Sequence, residues 1–340
     1  MQLSPSDIRI FAGSSSTGFV AGMCRQLGIE PGRSETFHFS EGNSYVKILE
    51  SVRGKDIYLA QTIGFDANDA FMELLFWIDA FKRASASSIT VIMPYFGYAK
   101  ADKKDEPRVS IRARVCADCI EAAGADRVVA MDLHSPQIQG FFKIPLDHLL
   151  AHPIICEWLK NQSLGDFVIV SPDAGFAKSA QRYAAYLSAP IVICDKMRRL
   201  HDERAEILEV IGDVSGKTAI IVDDFAISCG TLAATAEALV KRGAVSVSAA
   251  VTHALITREG LGTLNASRIE RLIVTDTVDN PRLRGEPKVT SLSVAPLFGE
   301  AVRIIHGRES LSEIFDAPFR TLPSMRAEPP GPEPDRRASG

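Results

Sequence analysis

Ala219-Ile220-Ile221-Val222-Asp223-Asp224-Phe225-Ala226-Ile227-Ser228-Cys229-Gly230-Thr231-Leu232 is the stretch that decides how this chain is read. A short apolar run ends in two adjacent carboxylates. A small polar loop follows, and then an Ala-rich pattern of helical spacing. The expectation is a buried strand over 218–222, an acidic loop, and a helix over 231–242. The first amides of a helix lack intrahelical partners and carry partial positive charge, so a phosphate is favoured there. Gly230 lets backbone approach an anion closely, and Ser228 and Thr231 can cap free amides or bond phosphate oxygens. Asp223 and Asp224 repel a phosphate, so they are expected to face a sugar, with a hard divalent cation between them and the ligand. The alternative is an ordinary strand-to-helix connection, where Asp and Gly are common.

Outward from this stretch, strands and helices alternate. Strands are expected at 8–13, 55–60, 88–93 and 127–131, with helices at 19–27, 71–83 and 109–123. The pattern restarts with strands at 167–170, 190–194, 245–253 and 271–275 and a helix at 177–187. Such alternation predicts an α/β protein with mainly parallel sheets flanked by helices. Two halves of similar size are expected, 1–152 and 153–316, with the boundary near 150–153. Residues 317–340 are rich in Pro, Glu, Arg and Gly and are read as a disordered tail.

Composition narrows the function. The 340 residues carry a formal net charge of −4, which gives no electrostatic basis for nucleic-acid binding. No apolar run is long enough to span a membrane. The first ten residues lack a basic start followed by an apolar core, so no secretory leader is expected and the cytoplasm is the expected compartment. The six cysteines lie mostly in apolar segments, which favours reduced thiols. Cys116-Ala-Asp-Cys119 has a redox or zinc half-site form. It lies in a helical pattern without a second half-site, so it is read as core packing.

Ligand loops in open α/β sheets lie beyond the carboxyl ends of the strands. Five polar clusters fall there: Tyr98-Ala99-Lys100-Ala101-Asp102-Lys103-Lys104, Asp132-Leu133-His134, Asp173, Asp223-Asp224, and Lys196-Met197-Arg198-Arg199. Carboxylates with a His suit a hard cation helped by phosphate oxygens, and basic groups neutralise charge on a transferring phosphoryl group. Together they point to phosphoryl or diphosphoryl transfer. Taken singly, His134 reads rather as a histidine satisfied in the core or behind a site, 100–104 as a solvated loop, and 196–204 as the start of an exposed, mobile charged segment.

These residues resemble a known family, the ribose-phosphate pyrophosphokinases. The likeness runs from about 8 to about 314. It rests on 50–56, Met72-Glu73-Leu74-Leu75, Pro94-Tyr95-Phe96-Gly97-Tyr98-Ala99, Asp132-Leu133-His134 through Gly140-Phe141-Phe142, Ser171-Pro172-Asp173-Ala174-Gly175, the opening stretch, and Ser293-Val294-Ala295-Pro296-Leu297. The resemblance implies two phosphoribosyltransferase-type domains. It implies a magnesium-dependent enzyme that moves the diphosphoryl group of ATP to the anomeric hydroxyl of ribose 5-phosphate, giving phosphoribosyl diphosphate and AMP. It further implies a homo-oligomer, a hexamer or another dimer-based assembly, with ATP bound between subunits. By the family pattern Lys196 and Arg198 are catalytic, and His134 and Asp173 hold Mg2+. Phe39, Glu41, Asn43, Lys100, Ala101, Asp102 and His134 bind ATP. Arg198, Asp223, Asp224, Ile227, Ser228, Cys229, Gly230 and Thr231 bind ribose 5-phosphate.

The chain departs from that pattern at informative places. After Phe-Ser the family usually has Asp and then Glu, where Glu41 and Asn43 stand. After Tyr-Ala it usually has Arg-Gln, where Lys100 and Ala101 stand, and lysine lacks the planar fork of arginine. In the phosphate loop it usually has Asp-Thr, where Ile227 and Ser228 stand. Two readings follow: an active, divergent diphosphokinase, or a non-catalytic relative that co-assembles with an active synthase and regulates it. A phosphoribosyltransferase acting on a base is a third, opposed by the long N-terminal half with its own Asp-Leu-His motif.

Overall fold

The computed structural model describes residues 8–198, 206–311 and 314. In the first half, β1 (Ile8–Ala12), α1 (Thr17–Leu27), β2 (Ser34–His38), β3 (Ser44–Ile48), β4 (Asp56–Ala60), α2 (Ala67–Arg83), β5 (Ser88–Met93), α3 (Arg112–Ala123), β6 (Arg127–Met131) and β7 (Leu146–Leu149) follow in order. β1-β4-β5-β6-β7 form a wholly parallel sheet, and β2 and β3 form a separate antiparallel hairpin. After α4 (His152–Lys160) come β8 (Phe167–Ser171), α5 (Ala177–Leu187), β9 (Ile191–Arg198), β10 (Glu206–Ile211), β11 (Thr218–Ala226), α6 (Gly230–Lys241), β12 (Ser246–Ala254), α7 (Arg258–Ala266), β13 (Arg271–Thr275), β14 (Val289–Leu292) and α8 (Ala295–Gly307). They build a seven-stranded sheet in the order β10-β9-β8-β11-β12-β13-β14, parallel except for β10. The α/β architecture of mainly parallel sheets is as expected from the alternation.

Sequence explains the elements. In α2, Phe71, Leu74, Trp77, Ile78 and Phe81 are buried at helical spacing, while Lys82 and Arg83 close the last turn where the helix dipole favours cations. The second sheet reverses its winding between β8 and β11: β9 adds on one side and β12 to β14 on the other. Such a switch point opens a crevice beyond the strand ends, where α/β sheets bind ligands.

One apolar layer joins the halves. It takes Ile10 from β1, Phe19 from α1, Ile155 from α4, Ala184 from α5, Ile220 from β11 and Phe298 from α8. The last helix therefore returns to the first half. Phe19 and Phe298 meet edge to face at 5.2 Å, and a side chain at Gly22 would lie 2.9 Å from the Ala295 methyl. Separate apolar layers cover the outer faces, under α2 and α3 on one sheet and under α6 on the other.

Four elements differ from the sequence expectations. The β2–β3 hairpin was not expected. Its Phe37, Phe39 and Tyr45 pack on one another in the open, with centroids 4.6–6.0 Å apart. β11 does not stop at Val222; Asp223 stays in register with Val251, and the strand runs on to Ala226. The acidic pair is thus part of the strand rather than of a loop. β10 occupies the far side of the charged segment, and α8 forms where only a motif was read. Cys116 is buried and Cys119 partly so within α3, both as free thiols, as core packing requires. The tail, 317–340, lies outside the described residues.

Truncating Phe298 tests the shared layer. The ring is fully buried, so Phe298→Ala is expected to cost about 3–5 kcal/mol in denaturant unfolding, with α1 amides losing exchange protection together with α8. Loss of protection confined to α8 would contradict a joint layer.

Candidate active site

The site lies where strand ends of the first sheet meet those of the second. β6 delivers the Asp132-Leu133-His134 turn. Asp132 takes a left-handed backbone, φ 38°, and is half-buried. Its carboxylate accepts the Thr252 hydroxyl at 2.6 Å and the Ala151 amide at 3.2 Å, so the turn is tied to β12 and to the start of α4. Burial pushes the carboxyl up to about 6. The His253 Nε2–H donates to the Asp132 carbonyl at 3.2 Å, which leaves Nδ1 to accept the Thr277 hydroxyl at 2.9 Å. Burial lowers this imidazole to about 4, so it is neutral. The Tyr95 ring packs against His253 at 4.6 Å with a tilt of 49°, and the Thr62 hydroxyl donates to the Thr277 carbonyl at 2.7 Å.

This polar seam places His134 against the acidic pair. His134 Nδ1 lies 2.8 Å from Asp224 Oδ2, and that hydrogen bond raises the imidazole above its ordinary value. Asp224 also accepts the Phe225 amide at 2.9 Å, and its own amide donates to Asp223 at 2.9 Å. Burial, then the charges of Asp224 and Asp173, push Asp223 well above the carboxylate range. Asp173 follows β8 and is exposed, its carboxylate accepting the Phe176 amide at 2.9 Å. Lys100, from the turn after β5, sits with Nζ 3.1 Å from the centre of the Phe225 ring. Burial lowers its ammonium to about 8, against the pull of Asp224 and Asp223. Tyr95, Lys100, Asp132, His134, Asp224 and Phe225 line one cleft.

Past β11 the chain wraps the start of α6. The Ile227 carbonyl accepts the Thr257 amide at 3.1 Å, and a side chain at Gly260 would lie 2.2 Å from that oxygen. Cys229 caps α6 in the left-handed region, φ 57°, with its side chain buried. The Ser228 hydroxyl accepts the Gly230 amide at 3.4 Å. Gly230, Thr231 and Leu232 thus open α6 with amides that have no intrahelical acceptor, the arrangement that binds a phosphate. The Ile227 side chain is exposed at the rim.

The structure therefore brings Lys100, His134, Asp223 and Asp224 together, with Asp173 close enough to act on Asp223, and the loop that opens α6 at the end of the same strand. Ala101 is buried beside Lys100, and Asp102 is partly buried. Phe39, Glu41 and Asn43 lie instead at the exposed tip of the hairpin, Glu41 and Asn43 within 3.4 Å of each other, and none lines the cleft. Lys196 and Arg198 stand on β9, their backbones opposite Leu208 and Glu206; their side chains lie outside the described residues. Among the described residues no three His, Cys, Asp or Glu side chains form a metal cage. Mg2+ needs none, since it is commonly held by one or two carboxylates with waters and substrate phosphates. Sequence reasoning missed Phe225, Thr252, His253 and Thr277. The apolar run of β12 hid the polar pair Thr252-His253, and Phe225 read as ordinary strand.

Comparison with known proteins settles the family. The model of the N-terminal domain of ribose phosphate pyrophosphokinase matches residues 8–124, and the model of the phosphoribosyl synthetase-associated domain matches 194–316. A ribose-phosphate pyrophosphokinase of Gloeobacter violaceus is 45% identical over 309 residues, covering 91% of this chain and 93% of that one. The chain belongs to the ribose-phosphate pyrophosphokinase family. A second relative of that name, from Bacillus caldolyticus, is 41% identical over 309 residues, 91% of this chain and 98% of its own. The crystal structure of phosphoribosylpyrophosphate synthetase from Mycobacterium smegmatis superposes with a TM-score of 0.84 at 34% identity, covering 89% of this chain and 99% of that one. The fold is thus the two-sheet fold of this family, and the protein is an enzyme of its class, a diphosphotransferase. None of these findings favours a non-catalytic subunit.

Two substitutions test the local physics. Cys229→Ala loses the buried sulfur and keeps the left-handed strain, whereas Cys229→Gly loses both. The glycine variant is expected to be the more stable of the two by about 1 kcal/mol in denaturant titration. For His253, unfolding raises the imidazole from about 4 to its unperturbed value near 6.5. Between these values the unfolded chain binds the extra proton, so this stability is fully present above 6.5 and is lost as pH falls toward 4. Relative to His253→Gln, the native chain is expected to lose about 1.4 kcal/mol per pH unit in that window. Parallel stability curves for the two proteins would refute a buried neutral His253.

Proposed function

We propose that this enzyme transfers the diphosphoryl group of ATP to the anomeric hydroxyl of ribose 5-phosphate within the cleft at the β8/β11 switch point. The observation that carries the assignment of sides is the 2.8 Å His134–Asp224 bond, which sets a nucleotide-side residue of one sheet against a sugar-side residue of the other. On the sugar side, Asp223 and Asp224 bind the ribose hydroxyls, and the amides of 230–232, with Ser228 and Thr231, bind the 5-phosphate. Cys229 contributes backbone alone, and Ile227 flanks the sugar without a polar contact. On the nucleotide side, Lys100, Ala101, Asp102 and His134 meet ATP, while Phe39, Glu41 and Asn43 present it from the hairpin of a neighbouring copy. The exposed aromatic cluster of that hairpin supports such an assembly, a hexamer or another dimer-based homo-oligomer.

Lys196 and Arg198 act on the transferred group. Their positive charges lower the barrier as negative charge spreads over the phosphoryl oxygens, while the anomeric oxygen bonds to the β-phosphorus, its proton passes to solvent, the bond from that phosphorus to the α–β bridging oxygen breaks and AMP leaves with that oxygen. Their position on β9, next to β8 in the sheet, supports this role. The crowding of Asp173, Asp223 and Asp224, which raises Asp223, supports a Mg2+ site held by Asp173 and His134 with the acidic pair nearby. When bound, Mg2+ neutralises phosphate charge and draws the diphosphate oxygens into position. We keep 1–152 and 153–316 as the two domains, the chain crossing between sheets from Leu149 to Phe167 and α8 joining both. No described helix is long and apolar enough to cross a membrane, and a cytoplasmic location is part of this proposal.

Purified protein with Mg2+, ribose 5-phosphate and a series of nucleoside triphosphates tests the reading. AMP release that depends on ribose 5-phosphate is expected with ATP, and its absence with every triphosphate would sink it. Lys196→Ala is expected to lower turnover by about 10²–10³-fold with assembly intact; normal turnover would remove Lys196 from the mechanism.

A further inference from the structure

We infer that Phe225 is a positioning residue: its ring seats the Lys100 ammonium in the cleft and holds that charge ready for the triphosphate. The inference rests on the reading above that Lys100 serves the nucleotide. It starts from what Lys100 touches. Among the described residues its ammonium forms no ion pair, and its close contact is the Phe225 face at 3.1 Å. A π face attracts a cation without neutralising it, whereas a salt bridge to either carboxylate would cancel the charge. The ammonium thus keeps its hydrogen-bond donors for an incoming anion.

The ring is itself fixed. It is half-buried and packs on Tyr95, Leu255 and Val278, a small apolar cluster separate from the main cores. The His134 ring lies 6.0 Å away on a tilt of 59°. Phe225 also directly follows Asp224 on β11, opposite His253. The strand that presents the acidic pair therefore also fixes the basic group, so both charges move with one element. Lysine suits this seat. Its compact ammonium sits on a long flexible stem that a ring can restrain, while an arginine fork gains more from a carboxylate or phosphate.

Steady-state AMP release by the full-length protein tests this, with Phe225→Leu, Phe225→Met, Phe225→Tyr, Lys100→Met and the Lys100→Met/Phe225→Leu pair. Phe225→Leu and Phe225→Met are expected to raise the KM for ATP about 3- to 10-fold, the scale of one partly desolvated cation–π contact. The KM for ribose 5-phosphate and kcat are expected to stay within about twofold, and Phe225→Tyr to retain the native KM for ATP. The double variant is expected to match Lys100→Met alone. An unchanged KM for ATP in both aliphatic variants, additive effects in the double variant, or a loss that Tyr fails to rescue would each overturn the role of Phe225. If Lys100→Met leaves the KM for ATP native, the nucleotide-side reading of Lys100 falls and this inference with it. If Lys100→Met raises it and the Phe225 variants do not, this inference alone falls.

Discussion

The site depends on one constraint: two separate sheets must be held with their strand ends in contact. The apolar layer between them supplies the attraction, but apolar packing is non-directional and would tolerate small slips. The polar seam removes that freedom. The Thr62 hydroxyl on the Thr277 carbonyl, the Thr252 hydroxyl on Asp132, and His253 bridging Asp132 to Thr277 are all buried or nearly so. A buried polar group without its partner costs about 1–3 kcal/mol, so a slipped arrangement is penalised several times over. His134 inherits its position from this seam, two residues beyond Asp132, and the contact with Asp224 follows.

Charge and strain accumulate where the seam opens. Asp173, just past β8, crowds Asp223 and Asp224 on the neighbouring β11, and burial makes their repulsion stronger than in water. Lys100 and His134 offset part of it, one through charge alone and the other through a hydrogen bond. Two non-glycine residues with left-handed backbone, Asp132 and Cys229, bracket the same region. Such features persist only when surrounding structure holds them, and they cluster where a ligand is to be met. The fold therefore spends part of its stability on a surplus of negative charge that a cation and basic groups can balance.

Much of this was legible in the sequence, for identifiable reasons. β4, β5, β6, β8 and β11 are central strands of parallel sheets, buried on both faces, so they read as apolar runs. The acidic pair and the Gly-Thr helix start stood out because they broke such a run. The β2–β3 hairpin had no comparable signal: its aromatics Phe37, Phe39 and Tyr45 face outward and its remaining residues are mostly polar. The register of β11 beyond Val222 was hidden too, since two carboxylates argue for a strand end, whereas pairing with β12 continues to Ala226. The seam residues Thr252, His253 and Thr277 each look like minor polar interruptions. Their meaning lies in long-range partners, which local pattern does not contain.

The departure at Ile227 can now be placed physically. The family pattern implies a carboxylate at this position, and an apolar side chain there raises the question of whether the proposed phosphate cradle survives. The cradle is backbone. The Ile227 carbonyl is fixed by the Thr257 amide and by the close approach of Gly260, where no side chain fits. The turn at Cys229 then aims the amides of 230–232 outward along the axis of α6. None of these contacts uses the side chain at 227, which is exposed at the rim. The substitution thus separates two jobs that the family pattern combines. In the function proposed above, anion binding stays with the backbone and the helix start, while the polar contacts to the sugar are left to the acidic pair on β11.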